Sequence, residues 1–173
     1  MKFLRVARLD DSDERVYSPA AQAGELAVTG TFVFSFSDDD PERLTGKQRQ
    51  AYRTGFLGLD SFGWSTVVTI ADVTEAEYKD AIESLARHFV SAFGAPSLQD
   101  ALPVARQEIE YAAGLCEHEV GTLLALERHA DEDGVHEAIR RVQQRPAEPE
   151  RPDWNEHSGE IRIWDMFPDK GKT

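Results

Sequence analysis

The clearest pattern of apolar and polar positions lies in residues 74–94. Apolar side chains recur there every three or four residues, as on one face of a helix, at Tyr78, Ile82, Leu85, Phe89 and Phe93. Thr74 and Glu77 have the spacing of a capping box, and Gly94 supplies a left-handed stop. The preceding residues 63–72 read as a strand. We therefore expect a strand that leads into a helix, with the apolar face of the helix packed on a sheet.

Further strands are predicted where apolar residues alternate with polar ones. Residues 3–9 could form a short strand, and within 25–37 the even positions include Leu26, Val28, Phe32, Phe34 and Phe36 while the odd ones are mostly Thr, Ser and Ala. We expect the three phenylalanines to pack against the helix stripe. Residues 120–129, the acidic turn at 131–134 and the stretch after it indicate a hairpin, although the second arm could instead be a short helix.

A second apolar helix is predicted after Gly94. Ser97 and Asp100 compete as its cap, and Pro103 favours Asp100, because proline is tolerated in the first turn of a helix. The prediction is a helix over 101–113 that Gly114 ends. Its inward positions are Leu102, Ala105, Ile109, Ala112 and Ala113.

Together these elements predict an α+β fold. We expect a two-layer sandwich in residues 1–142, with a mainly antiparallel sheet of about five strands and two helices packed on one face. Residues 143–173 hold half of the eight prolines and are predicted to form an extended arm with a possible strand at 159–167. The apolar side chains of this arm are predicted to bind a partner, chiefly through Trp154, Trp164 and Phe167.

Charge and composition narrow the function classes. The 32 acidic residues outnumber the 19 basic ones, and the resulting net charge of −13 argues against binding nucleic acid or anionic membranes. No stretch has the roughly 20 apolar residues that cross a bilayer, and no signal peptide is evident at the start. The single Cys116 fits a reducing compartment. We expect a cytoplasmic protein with no membrane insertion.

A basic stretch stands out in this acidic chain. Asp40 and Pro41 are predicted to begin a polar helix that runs to about residue 53. One side of this helix carries the cations Arg43, Lys47, Arg49 and Arg53. They indicate a contact with an anion or an acidic partner, although a solvated helix face is the more common meaning of such a run.

The glycine-rich residues 55–64 carry unusually large apolar side chains. Phe56, Leu57, Leu59 and Phe62 are predicted to contact a partner. The alternative is that the core of the protein itself covers them, which is the more common fate of apolar residues.

No chemical site is complete in the sequence. Cys116 and His118, with Glu117 and Glu119 between and beside them, do not make up the ligand set of a structural zinc. No serine, cysteine or histidine lies in a recognisable catalytic motif. We therefore expect neither a cofactor nor a metal, and no catalytic residue can be named.

Two segments carry a resemblance to a known family. TGTFVFSFSD and LTGKQRQAYRTGFLGLDSFGWST resemble a family of small bacterial proteins of unknown function, over about residues 2–142. The family is associated with gene clusters for molybdenum-dependent formate dehydrogenases. The resemblance therefore implies an accessory subunit or assembly factor, and it brings no catalytic residues.

Two functional hypotheses follow. The first is a non-catalytic accessory or assembly subunit that binds a larger cytoplasmic enzyme, such as a molybdenum-dependent formate dehydrogenase. The alternative is a binding protein or enzyme for a small anionic molecule. Its pocket would lie between the 55–64 loop and the basic helix 41–53.

Hydrogen exchange tests the predicted arm. Its apolar side chains could dock on the sheet edge of the same chain or on another subunit, and the second arrangement is favoured because such arms commonly become ordered on binding. We therefore expect rapid exchange across residues 159–167 in the isolated protein and slow exchange in a complex. Protection of 159–167 without a partner would contradict docking on another subunit.

Overall fold

The computed structural model describes residues 1–143, and Met1–Val142 form one compact unit. Helices and antiparallel sheets occur together in it, which confirms the predicted α+β class. The strands are β1 (Lys2–Ala7), β2 (Ala27–Val28), β3 (Phe56–Gly58), β4 (Trp64–Ser65), β5 (Val67–Asp72), β6 (Leu123–Asp131) and β7 (Gly134–Val142). The helices are α1 (Ser12–Val16), α2 (Phe32–Ser35), α3 (Gly46–Thr54), α4 (Glu75–Phe93) and α5 (Leu98–Gly114).

The main sheet has four antiparallel strands in the order β1-β5-β6-β7. Its register places Leu4 opposite Ile70 and Val68 opposite Leu124, so buried apolar side chains share one face. A second sheet, β2-β3-β4, has three short strands. The arm after the acidic turn is strand β7 and not a helix.

Helix α4 has the start and the end that the sequence predicts. The Glu77 backbone N–H donates to Thr74 Oγ1 at 3.1 Å, and the Thr74 N–H donates to the Glu77 carboxylate at 2.8 Å. Gly94 ends the helix with φ of 72°. Within the predicted stripe Ile82, Leu85 and Phe89 are buried, whereas the outer members Tyr78 and Phe93 are partly buried.

The predicted strand over 25–37 is wrong beyond β2. Gly30 turns the chain with φ of 78°, and Phe32–Ser35 then form helix α2. A Cβ at Gly30 would lie 2.7 Å from the Leu57 Cβ, so the neighbouring hairpin approaches too closely for any other residue. The predicted strand thus ends at a steric requirement that the pattern of apolar residues does not reveal.

Helix α2 separates the three phenylalanines. Phe32 and Phe36 lie four residues apart on one face, and their ring centroids are 4.9 Å and 6.4 Å from that of Phe89. Phe34 points the other way, toward Tyr52 and Trp64, at 5.1 Å and 5.4 Å. The expected contact with the α4 stripe is confirmed for Phe32 and Phe36 and is wrong for Phe34.

The predicted strand 63–72 is divided between the two sheets at Thr66. The buried Asp13 of α1 holds this break, because its carboxylate accepts hydrogen bonds from Ser65 Oγ at 3.2 Å and from Thr66 Oγ1 at 2.9 Å. The Tyr17 hydroxyl also hydrogen-bonds Thr66, at 2.8 Å. Apolar alternation alone does not reveal such a break.

The polar helix begins where predicted but is interrupted. The Asp40 carboxylate accepts the Glu42 N–H at 3.0 Å, and Pro41–Arg43 form a single 3₁₀ turn. The chain then becomes extended at Leu44, and α3 starts at Gly46, whose φ is 61°. The left-handed glycine separates the two pieces.

Helix α5 starts three residues earlier than predicted. Ser97 is the cap, and its Oγ accepts the Asp100 N–H at 3.1 Å, so Pro103 lies inside the helix. Three of the predicted inward residues, Ala105, Ile109 and Ala112, are buried. The capping bond of Ser97 thus prevails over the proline preference.

Truncation of the α4 stripe should weaken the fold. Phe89 is only 3% exposed, so Phe89→Ala should lower the free energy of unfolding by about 3–5 kcal/mol. Lys79 is exposed and, within the described residues, pairs with the exposed Glu75 one turn away, so Lys79→Ala should cost under about 0.5 kcal/mol. Urea unfolding of both variants measures the difference, and equal losses would show that the buried face of α4 is misassigned.

Candidate partner-binding groove

An apolar groove lies where the end of α2 meets the connection between α4 and α5. Its volume is about 600 Å³. The larger apolar side chains that line it are Phe36, Phe89, Phe93, Pro96 and Val104. We call this feature the aromatic groove.

Phe36 makes the aromatic groove unusual for a protein surface. It is 57% exposed, and its ring lies 6.1 Å from that of Phe93 and 6.4 Å from that of Phe89. Val104, on the α5 side, is 40% exposed. Single exposed apolar residues are ordinary, but a contiguous set that lines a concavity is typical of a binding surface.

Small side chains keep the aromatic groove open. Ala92, Ala95 and Ala101 line it beside the larger residues. Gly94 and Pro96 make a short connection, and no side chain of that connection is long enough to fill the space. The concavity therefore follows from the local sequence of the α4–α5 corner.

The aromatic groove has one carboxylate in its lining. Of the ten described residues that line it, Asp100 alone is charged. The groove is therefore mainly apolar.

A stacked pair of rings lies beside Phe93. The Phe62 and His88 rings are parallel with centroids 3.7 Å apart, and His88 is 5.5 Å from Phe93. Burial lowers the pKa of His88, which favours a neutral ring at pH 7. The groove side of α4 therefore gains no positive charge from this histidine at neutral pH.

The glycine-rich residues 55–64 form a hairpin in the second sheet. Phe56, Leu57 and Leu59 are buried, which agrees with the alternative that the core covers them, and they present no surface to a partner in this conformation. Phe62 is partly exposed at the tip. Gly58 is required because a Cβ there would collide with the Glu25 carboxylate.

That carboxylate organises the tip of the hairpin. Glu25 is buried, and its Oε1 accepts the N–H groups of Asp60 and Ser61, each at 3.1 Å. The hairpin is therefore held by a fixed set of hydrogen bonds, and its glycines serve its own packing.

The four predicted cations lie on two elements. Arg43 pairs with Asp40 at 3.6 Å, and Lys47, Arg49 and Arg53 are exposed on α3. Arg53 lines a separate polar pocket of about 440 Å³ between the last turn of α3 and strand β6. Its other lining residues are Gln50, Thr54, Glu127, Arg128 and His129. The predicted contacts Trp154, Trp164 and Phe167 lie outside the described residues.

The titratable groups give no assembled chemical centre in residues 1–143. Cys116 is buried, and burial raises the pKa of its thiol to about 11, so the reactive thiolate is disfavoured. Among the described residues no three histidine, cysteine or carboxylate side chains could share a metal ion. None of the described helices has the length and apolarity to cross a bilayer.

Sequence reasoning missed Phe36 and Val104 as surface residues. Phe36 fits the alternating pattern that predicts burial, and Val104 lies beside Pro103 within a thin apolar face.

Comparison with known proteins gives a family without an assigned function. Residues 1–152 match a family of unknown function (DUF6505), and the chain therefore belongs to that family. The predicted resemblance to a family of unknown function is confirmed, while the link to formate dehydrogenases stays a prediction. No curated protein and no solved structure matches the chain.

Proposed function

We propose that this member of the family of unknown function (DUF6505) is a non-catalytic accessory or assembly subunit that binds a larger enzyme. The cytoplasm is the proposed location and a molybdenum-dependent formate dehydrogenase is a proposed partner. The single observation that supports this function best is the aromatic groove, with a phenylalanine more than half exposed at its edge.

The energetics favour a protein partner for the aromatic groove. Complete burial of a phenylalanine contributes roughly 1.5–3 kcal/mol, and aromatic residues in pockets are frequent anchors of interfaces. Phe36 and Val104 have apolar area that the described part of the chain leaves exposed. Binding a partner would remove that area from water without unfolding any element.

Co-purification tests the accessory function. The full-length protein, tagged and expressed at native abundance in its host, should retain a larger enzyme subunit that mass spectrometry identifies. We expect Phe36→Ser to reduce the recovery of that subunit at least tenfold, because a polar residue replaces the exposed aromatic edge.

Leu9→Ser is the matched control, since Leu9 is 56% exposed and does not line the aromatic groove. It should retain the subunit at the wild-type level. A protein that remains alone under these conditions would count against an accessory function.

A second candidate function is the binding of a small anionic molecule. The observation that favours it is the polar pocket between α3 and β6, where Arg53 and His129 lie among hydrogen-bonding side chains. Its volume of about 440 Å³ is within the range of small-molecule sites. We propose this pocket, at the end of the basic helix, as the place for such a ligand.

Thermal unfolding in phosphate or citrate tests the polar pocket. A ligand that binds only the folded state raises the unfolding temperature as its concentration rises. We expect stabilisation of the wild type to be lost in Arg53→Ala. The exposed Arg49→Ala on the same helix should retain it. If the two variants showed the same rise in unfolding temperature, the stabilisation by phosphate or citrate would be due to general screening of charge and not to the polar pocket.

A further inference from the structure

We propose that the hairpin β6–β7 carries a binding site for a divalent transition-metal ion, with His129 and His136 as its two protein ligands. The inference goes beyond both proposed functions and depends on neither of them. Three observations on the described residues support it, namely the register of the hairpin, the separation of the two rings and the hydrogen bond that orients one of them.

The register of the hairpin places the two histidines directly opposite each other. Such residues of antiparallel strands have their side chains on the same face, with Cβ atoms about 4.5–5.5 Å apart. His129 is exposed and the His136 side chain is 43% exposed, so an ion can reach both rings from solvent. Because the two nine-residue strands pair along their full length, the ladder holds the two imidazoles side by side.

The separation of the rings suits one shared ion. Their centroids lie 5.2 Å apart. Histidine nitrogens bind zinc at about 2.0–2.1 Å, and a tetrahedral angle at the metal then puts the centroids of two imidazole ligands roughly 5 Å apart. The ring planes are inclined by 28°. A turn of the exposed His129 ring about its Cβ–Cγ bond would direct one nitrogen of each ring at the same ion, and the preference of this torsion is broad.

A carboxylate orients the His136 ring. Asp131 Oδ1 lies 2.8 Å from His136 Nε2, and the backbone N–H of Asp133 donates to the same oxygen at 2.8 Å. An ionised carboxylate only accepts hydrogen bonds, so Nε2 carries a proton and, in the neutral ring, Nδ1 keeps the lone pair that a metal needs. Histidines that bind metal ions commonly donate their other ring N–H to a carboxylate in this way. Asp131 is therefore a positioning residue of the site and not a ligand.

The two imidazoles determine the class of metal. Imidazole nitrogen suits zinc, copper and nickel, whereas magnesium and calcium prefer oxygen ligands. Within residues 1–143 no third histidine, cysteine or carboxylate side chain joins the pair, so water would complete the coordination of a zinc ion. The site would therefore bind zinc more weakly than a structural site with four protein ligands.

Titration calorimetry of the untagged full-length protein with zinc chloride tests the proposal. We expect one zinc ion to bind per chain and magnesium chloride to show no binding under the same conditions. His129→Gln and His136→Gln should each weaken zinc binding at least tenfold, because one of the two ligands is lost. The matched control is His118→Gln, since His118 is exposed and lies outside the hairpin. It should change the zinc affinity less than about twofold.

Asp131→Ala tests the positioning role. Loss of a carboxylate that orients a metal-binding histidine commonly reduces metal affinity 10–100-fold, so we expect zinc binding to weaken about tenfold. Nitrogen NMR of the zinc-free protein gives a second measurement. The neutral His136 ring should carry its proton on Nε2 in the wild type and should show a mixture of both tautomers in Asp131→Ala. Circular dichroism confirms that each variant is folded.

Three results would overturn the metal site. They are no zinc binding to the wild type, zinc binding that survives the loss of both hairpin histidines, and equal weakening by His118→Gln. An unchanged tautomer of His136 in Asp131→Ala would contradict the positioning role of Asp131. The accessory function and the anion pocket are tested with other variants, so these results leave both standing or falling by their own experiments.

Discussion

The buried guanidinium of Arg128 is the contact on which the packing of this protein depends. Its Nη1 donates to the backbone oxygens of Ala51 and Tyr52 at 3.2 Å and 2.9 Å, which caps the carboxyl end of α3. Its Nε donates to Thr31 Oγ1 at 2.8 Å, and its Nη2 donates to the Thr29 carbonyl. Burial lowers the pKa of Arg128 to about 10, so the group stays charged at neutral pH.

Arg128 also influences which phenylalanine of α2 is buried and which is exposed at the surface. The Phe34 ring lies 5.4 Å from the guanidinium carbon, and the contacts to Thr29 and Thr31 hold the start of α2 beside β6. With Phe34 turned toward the cation, Phe36 leaves α2 on the opposite side, where its ring lies beside Phe89 and Phe93. The aromatic groove is thus a consequence of how a buried charge is satisfied.

A carboxylate completes this arrangement and reaches α5. Glu137 Oε2 lies 3.8 Å from Arg128 Nε, and Tyr111 on α5 donates a 2.5 Å hydrogen bond to Glu137 Oε1. Burial and this carboxylate raise the pKa of Tyr111, so its hydroxyl stays protonated and continues to donate. One ion pair therefore joins α3, β6, β7 and α5 around the connection from β2 to α2.

Periodicity, capping residues and turn residues were sufficient to predict elements whose signals lie close together in the sequence. Helix α4 follows from its stripe, its capping box and Gly94, and the hairpin β6–β7 follows from its acidic turn. The start of α5 at Ser97 and the interruption of the polar helix before Gly46 are local features that the sequence prediction missed, and the other failures arise at long-range contacts. Gly30 is required by a hairpin that is remote in sequence, the break at Thr66 is held by Asp13, and Phe34 is turned by Arg128. Neither the aromatic groove nor the polar pocket could be read from local patterns, because residues far apart in the chain meet to form each of them.

Small residues leave the aromatic groove open. Larger apolar residues in place of Ala92 or Ala95 would cover more of the groove and remove more apolar area from water in the free protein. The chain instead combines small residues at these positions with a tight Gly94 corner and an exposed ring. Surfaces that forgo available stability are commonly those that function requires, because a filled groove has no room for a partner. The proposed binding function gives a reason for the small residues at the corner between α4 and α5.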